Sequence, residues 1–160
     1  MTAVFRKAGD DMNSKVNEVL ESFNGGYYCS QAVLSTYCED LGLDKETALK
    51  ISCGLAAGMA RMSSTCGAVT GAYMVISLKH GNCLPSDKEA IEKTFAQVQE
   101  FDKEFVIKHG STNCCELLGV DLRYGDKSLA SQQVKALCPS FVKDAAEILE
   151  SILWQNEGSA

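Results

Sequence analysis

The segment 66–72, which reads CGAVTGA, constrains the fold more than any other part of the chain. Its small residues recur three and four positions apart, so a helix built on them has one face with almost no side-chain bulk. Another backbone, or an inorganic group, can therefore approach this face closely. Apolar residues continue through Leu78. We expect a helix that is apolar nearly all round and lies at the centre of the molecule.

Apolar residues at helical spacing predict helices elsewhere and no strand. The fold class that follows is all-α, a compact single-domain helical bundle of about five long helices plus short helical turns. The domain covers residues 1–160 with an ordered core over about 10–155, and we expect frayed ends at 1–9 and 157–160. Predicted helices begin near Asp10, Ser30, Asp44, Cys66, Asp87, Cys114 and Cys138, and residues 120–131 read as a loop.

Composition excludes several classes of function. The net charge is −6, whereas nucleic-acid binding leaves a basic footprint, so no nucleic-acid partner is expected. No apolar run approaches the roughly 20 residues of a membrane span, so no membrane insertion is expected. The first ten residues lack the apolar core of a secretory signal. We therefore expect a cytoplasmic location.

Eight cysteines are unusual for such a chain. Cytosolic thiols stay reduced, so metal binding or redox chemistry is favoured over structural cross-links. No two cysteines form a Cys-x-x-Cys pair, so neither a thioredoxin motif nor a zinc knuckle is present.

Four of the cysteines share one position, because Cys29, Cys66, Cys114 and Cys138 each precede a predicted helix. A helix N-terminus presents free N–H groups and the positive end of the helix dipole, which lowers the pKa of a thiol. We expect such a shift at Cys66. If the helix ends converge, four sulfurs can hold an iron–sulfur cluster or a tetrahedral zinc ion.

The other candidates have auxiliary roles. Cys115 adjoins Cys114, and neighbouring side chains of a helix point about 100° apart, so both rarely serve one site. Arg61 precedes Cys66 and either faces an anion or remains a solvated loop charge. Cys53 and Cys38 lie within predicted helices, where burial as small apolar residues explains them. Cys83 lies in a turn as a spare surface thiol.

The residues around these cysteines resemble a known family. The matching segments are GYYCSQA around Cys29, CGAVTG from Cys66, NCCELLG around Cys114, and Cys138-Pro139. The chain is similar to a family of small helical redox-active proteins named after a cysteine pattern built around CGAxxG. The resemblance covers about residues 25–149 and favours the same four cysteines.

The resemblance also carries implications for cofactors and partners. Family members are often encoded near transporter genes, which implies a link to a membrane transporter. A related cysteine region occurs in split-Soret cytochromes, which carry an iron–sulfur centre and haem. This chain has no Cys-x-x-Cys-His, so haem attachment is not supported. The doubled Cys114-Cys115 leaves the third ligand open, and Cys53 or Cys83 can substitute or act as a resolving thiol.

Three functions follow as hypotheses. The first is electron transfer with an unidentified redox partner, in which Cys29, Cys66, Cys114 and Cys138 ligate an iron–sulfur cluster. The second is a metal-free thiol–disulfide oxidoreductase or redox sensor, with Cys66 as nucleophile and another of the four, such as Cys29, as its resolving partner. The third is a structural zinc site or thiol-rich binding module that serves a transporter. Apolar aromatic faces are compatible with a homodimer.

Overall fold

The computed structural model describes residues 14–155, and within that range the chain is helical and contains no β-strand. The all-α fold class is thereby confirmed. The helices are α1 Val16–Asn24, α2 Cys29–Tyr37, α3 Lys45–Cys53, α4 Gly67–His80, α5 Lys88–His109, α6 Cys114–Leu118 and α7 Lys127–Glu150. A 3₁₀ turn, Glu39–Leu41, follows α2, and a π-helical turn, Ser151–Gln155, follows α7. The predicted helix start near Asp10 and both predicted frayed ends lie outside the described residues.

Helix α4 is the centre of the bundle, as its composition predicts. It packs against α2, α5 and α7, and it is buried from Gly67 through Ala72 and again at Val75 and Ile76. None of the helices in residues 14–155 combines the length and the apolar character needed to cross a membrane.

The close packing of α2 on α4 depends on glycine. A Cβ atom at Gly71 would lie 2.9 Å from Cβ of Val33 and 3.0 Å from the carbonyl oxygen of Ser30. Real Cβ atoms essentially never come within 3.0 Å of such atoms, so Val33 or the backbone would have to shift. The small-residue face therefore brings the two backbones together, as the sequence predicts.

Short polar side chains fix where several helices begin. Asp44 accepts a hydrogen bond from the N–H of Thr47 at 2.8 Å, and Asn113 accepts one from Glu116 at 3.1 Å. Such caps satisfy N–H groups that have no partner within the helix. The predicted starts at Asp44 and before Cys114 are thus confirmed, and α6 ends at Gly119 in the left-handed conformation.

The last helix begins earlier than the sequence analysis predicts. Helix α7 starts after Asp126. The carboxylate of Asp126 caps the helix by accepting a hydrogen bond from the N–H of Leu129 at 2.6 Å. The predicted loop over 120–131 is therefore wrong in its second half, and Cys138 lies inside the helix rather than before it. Pro139 is an interior residue of α7. Because proline has no N–H, it leaves the carbonyl of Lys135 without a helical donor.

A left-handed turn separates α3 from α4. The turn comprises Ala56–Ala60 and the following Arg61. From Ala57 to Arg61 the five successive φ angles are all positive, at 56°, 66°, 61°, 55° and 63°. Only one of these five residues, Gly58, is a glycine. Left-handed backbone costs other residues about 1–2 kcal/mol each. Such strain persists where the surroundings impose it, and it is concentrated at functional sites.

The packing of α2 on α4 leads to a stability prediction. Gly71→Ala should lower the free energy of unfolding by about 1–3 kcal/mol, because the added methyl group overpacks the interface with Val33 and Ser30. Gly54→Ala is the matched control, since its φ is −70° and nothing lies within 4 Å of the new Cβ. Urea unfolding of both variants checks this, and equal stability of the two would contradict the packing argument.

Candidate functional site

Four cysteines from four separate segments line one cavity of about 530 Å³. Cys29 is the first residue of α2, Cys66 is the N-cap of α4, and Cys114 is the first residue of α6. Cys138 reaches the cavity from the interior of α7. The structure therefore brings together all four of the predicted cysteines, although only three stand at helix N-termini.

Backbone hydrogen bonds join the segments that carry Cys66 and Cys114. The N–H of Cys66 donates to the carbonyl of Thr112 at 2.8 Å, and the N–H of Cys114 donates to the carbonyl of Ser64 at 2.7 Å. Thr65 and Asn113 form an isolated antiparallel bridge between these bonds. Two cysteines 48 positions apart are thus fixed to each other through the main chain.

The sulfur of Cys29 is surrounded by backbone. The N–H groups of Ala57, Ser30 and Gly67 hydrogen-bond to it, and each favours a negative charge on the sulfur. A Cβ atom at Gly67 would lie only 2.2 Å from Sγ of Cys29. The sulfur therefore occupies the space that any larger residue at position 67 would need.

The left-handed turn forms the wall beside Cys114. A Cβ atom at Gly58 would lie 2.6 Å from Cβ and 3.0 Å from Sγ of Cys114. Ala57 and Arg61 of the same turn also line the cavity. The strained backbone thus lies against two of the four sulfurs, since Ala57 also donates to Cys29.

Burial keeps the four thiols protonated. Cys29, Cys66 and Cys114 are 9%, 6% and 6% exposed, and the desolvation of a thiolate raises the pKa of each. The pKa of Cys114 rises to about 11 and that of Cys138 to about 12, first through burial and then through repulsion from neighbouring thiolates.

The predicted low pKa of Cys66 is wrong. The nearby backbone N–H groups of Ala68 and Val69 do lower the pKa, although neither caps the helix through the Cys66 side chain. Burial and the nearby sulfurs of Cys29 and Cys114 outweigh them, so the pKa of Cys66 lies far above its ordinary value. Desolvation is the larger effect because the residue is almost completely enclosed.

The auxiliary candidates lie in different places. Arg61 lines the cavity, and its Nη2 donates to the hydroxyl of Tyr28 at 3.4 Å. Cys115 is half-buried beside Cys114 but is not part of the cavity lining, and Cys53 is exposed and lies away from it. Burial in the core thus explains Cys38 but not Cys53, for which that interpretation is wrong.

The sequence analysis missed one wall of the cavity. Helix α7 forms this wall. Five of its lining residues are spaced three or four positions apart, except for one adjacent pair, and these are Lys127, Ser131, Val134, Lys135 and Cys138. Because this is helical spacing, they project from one face. Two signals pointed to this helix. Asp126 is a capping residue that follows Gly125, and apolar residues at 130, 134, 137 and 141 have helical spacing.

The four thiols surround the cavity without forming a single-ion site. All eight cysteines are free. Across the described range, 14–155, no set of three or more His, Cys, Asp or Glu side chains is grouped so that it could hold a metal ion. Chemically, the arrangement offers four sulfur atoms as soft metal ligands, and backbone N–H groups lie near the sulfurs of Cys29 and Cys66.

Comparison with protein families gives a match over most of the chain. A family model described as "Putative redox-active protein (C_GCAxxG_C_C)" matches residues 27–152. This label writes Gly-Cys-Ala where the chain has Cys-Gly-Ala at 66–68. No curated protein and no solved structure matched the chain.

The thiol environment predicts an order of alkylation. At pH 7 in the metal-free protein, N-ethylmaleimide should modify the exposed Cys53 and Cys83 first. Cys114 should react at least about 100-fold more slowly, because its raised pKa reduces the thiolate fraction by that factor and burial hinders access. Peptide mass spectrometry at timed intervals measures the order, and urea should equalise the rates. Fast modification of Cys66 would contradict its raised pKa and support the hypothesis that it is a nucleophile.

The same shifts predict an alkaline loss of stability. Above pH 9 an unfolded chain releases thiol protons that the folded metal-free protein retains, so the unfolded state binds fewer protons and stability falls. The contribution of Cys114 is present below pH 9 and is lost as the pH rises through about 11. Melting temperatures of the reduced protein between pH 8 and 11 should fall less steeply in Cys114→Ser than in Cys53→Ser. Parallel slopes would contradict the shift.

Proposed function

Because the chain belongs to this family of redox-active proteins, with its match over residues 27–152, we propose that it is an electron-transfer protein whose four cavity cysteines hold an iron–sulfur cluster. The observation that carries the proposal is the convergence of Cys29, Cys66, Cys114 and Cys138 on one cavity. Four thiolates are the usual ligand set of such clusters. A bound cluster supplies reversible one-electron transfer.

The residues present fit this group in their donor chemistry. Backbone N–H groups favour a negative charge at Cys29 and Cys66, and N–H groups beside the sulfurs tune the potential of a thiolate-held cluster. Gly67 and Gly58 leave the space that the sulfurs of Cys29 and Cys114 occupy. Of the adjacent pair, Cys114 is the ligand we propose, because it lines the cavity and Cys115 does not.

The raised thiol pKa values favour this function over metal-free thiol chemistry. A nucleophilic cysteine needs a lowered pKa, whereas burial raises the pKa of Cys66 and of Cys114. Thiols of this kind lose their protons when a metal cation replaces them, so loading releases protons into solution. A single zinc ion requires sulfurs about 3.8 Å apart, from its bond length of about 2.3 Å. A cluster of several atoms is wider and suits thiols that surround a cavity.

Iron content tests the ligand assignment. After anaerobic incubation with ferric iron, sulfide and dithiothreitol, the wild-type protein should gain iron, sulfide and a broad visible absorption that bleaches on reduction. Cys29→Ser, Cys66→Ser, Cys114→Ser and Cys138→Ser should each lose most of the iron, because each removes a thiolate ligand. Cys53→Ser, Cys83→Ser and Cys115→Ser should keep it, since none of these residues lines the cavity.

Three results would contradict the assignment in whole or in part. A wild-type protein that stays colourless and free of iron would eliminate the cluster, and zinc bound without any redox response would favour the structural site. Iron retained in Cys66→Ser would remove this residue from the ligand set. Circular dichroism of each variant checks that the helices are intact.

A further inference from the structure

The cavity is larger and more varied than four sulfurs require. Its volume of about 530 Å³ lies within the range of about 300–1,000 Å³ that is typical of small-molecule sites. Beyond the cysteines, its lining is mainly apolar and includes Phe23, Leu117, Leu118, Leu122, Val134 and Phe141. An apolar molecule of moderate size therefore has walls to contact.

The charged residues of the lining are all basic. Arg61, Lys127 and Lys135 line the cavity, and no Asp or Glu of residues 14–155 does so. Acidic residues outnumber basic ones in the whole chain, 21 to 15, so this local excess runs against the overall charge. All three basic residues are exposed, which places their charged groups at the opening rather than among the buried thiols.

Within residues 14–155 the three cations take part in no ion pair. The ion pairs among the described residues involve other lysines and His109, and none includes Arg61, Lys127 or Lys135. Positive charges that no described acidic residue neutralises attract anions to the mouth of a low-dielectric cleft and raise their local concentration.

We propose that the cavity binds an amphipathic organic anion, a small molecule with an apolar body and an acidic group. The body lies against the apolar lining, and the acidic group lies at the opening among Arg61, Lys127 and Lys135. Cys138 follows Lys135 by three residues on the same face of α7. An anion held by Lys135 is thereby placed beside the sulfur site.

This inference rests on the proposed function, because the closeness of Lys135 to Cys138 matters for redox chemistry only if the four cysteines hold a cluster. An organic acid of this class then enters through the basic opening and binds next to the redox centre. Binding itself requires only the cavity, the apolar lining and the three cations, so it can be measured without a cluster.

Two matched dyes test the charge requirement. The probe is 8-anilino-1-naphthalenesulfonate, and its control is N-phenyl-1-naphthylamine, which has the same aromatic body without the sulfonate. Arg61→Gln, Lys127→Gln and Lys135→Gln should each weaken binding of the anionic dye, by up to about tenfold, through loss of a charge-assisted contact. Binding of the neutral dye should not change. Lys93→Gln, an exposed lysine outside the cavity lining, should affect neither dye.

A steric pair tests the location. Ser131→Trp should weaken both dyes, because Ser131 lines the cavity, whereas Ser128→Trp places the same bulk at an exposed position of α7 outside the lining. The inference is overturned if Ser131→Trp has no more effect than Ser128→Trp, or if the three charge variants affect the anionic dye no more than Lys93→Gln does.

Iron content separates this inference from the proposed function. Charge-dependent dye binding in Cys66→Ser, combined with a wild-type protein that takes up no iron, would overturn the cluster and leave the anion site standing. Iron uptake with charge-independent dye binding would overturn the anion site alone. If the three charge variants lose iron along with dye, the cations serve the cofactor and the separate anion site is overturned.

Discussion

The missing side chains at Gly67 and Gly71 are the constraint on which the rest of the structure depends. They let α2 lie against α4 at backbone distance, with Sγ of Cys29 in the space that a Cβ at position 67 would fill. This contact places the first residue of α2 next to the N-cap of α4. Without it, Cys29 and Cys66 would be held apart by side chains, and the N–H of Gly67 could not reach the sulfur of Cys29.

Two opposing effects act on the sulfurs, and burial is the stronger. Backbone N–H groups favour thiolate at Cys29 and Cys66, while desolvation and mutual repulsion favour the thiol. A buried anion is stable only when a cation or enough hydrogen bonds compensate for its lost hydration. The basic residues stand at the opening, too exposed to serve that purpose inside. The iron–sulfur cluster that we propose would supply the missing positive charge through its iron ions.

Much of the fold is readable from the sequence, because it depends on local signals. The small residues of 66–72 indicate a central helix, Asp44 and Asn113 are recognisable caps, and three of the four site cysteines begin helices as expected. Helix α7 is misread because Pro139 resembles a helix start. In the structure Pro139 is an interior residue, and the cap at Asp126 together with the spacing of later apolar residues defines the true beginning.

The remaining features of the site have no local signal. The left-handed conformation of Ala57, Met59 and Ala60 contradicts their intrinsic preference, so the tertiary surroundings rather than the local sequence must stabilise it. The pKa of Cys66 follows from its enclosure, and enclosure is a property of the assembled helices. Sequence position places that thiol at a helix end, but it does not reveal how little water reaches it.

The paired backbone bonds between Cys66 and Thr112 and between Cys114 and Ser64 have a consequence for local motion. Neither cysteine can leave its position by fraying of its own helix alone, because each bond anchors the other segment. The two bridged segments therefore open together, as one cooperative unit of the native-state fluctuations. Access to the buried sulfurs then depends on the free energy of that concerted opening, and the amide protons of Cys66 and Cys114 exchange with solvent at the same cost.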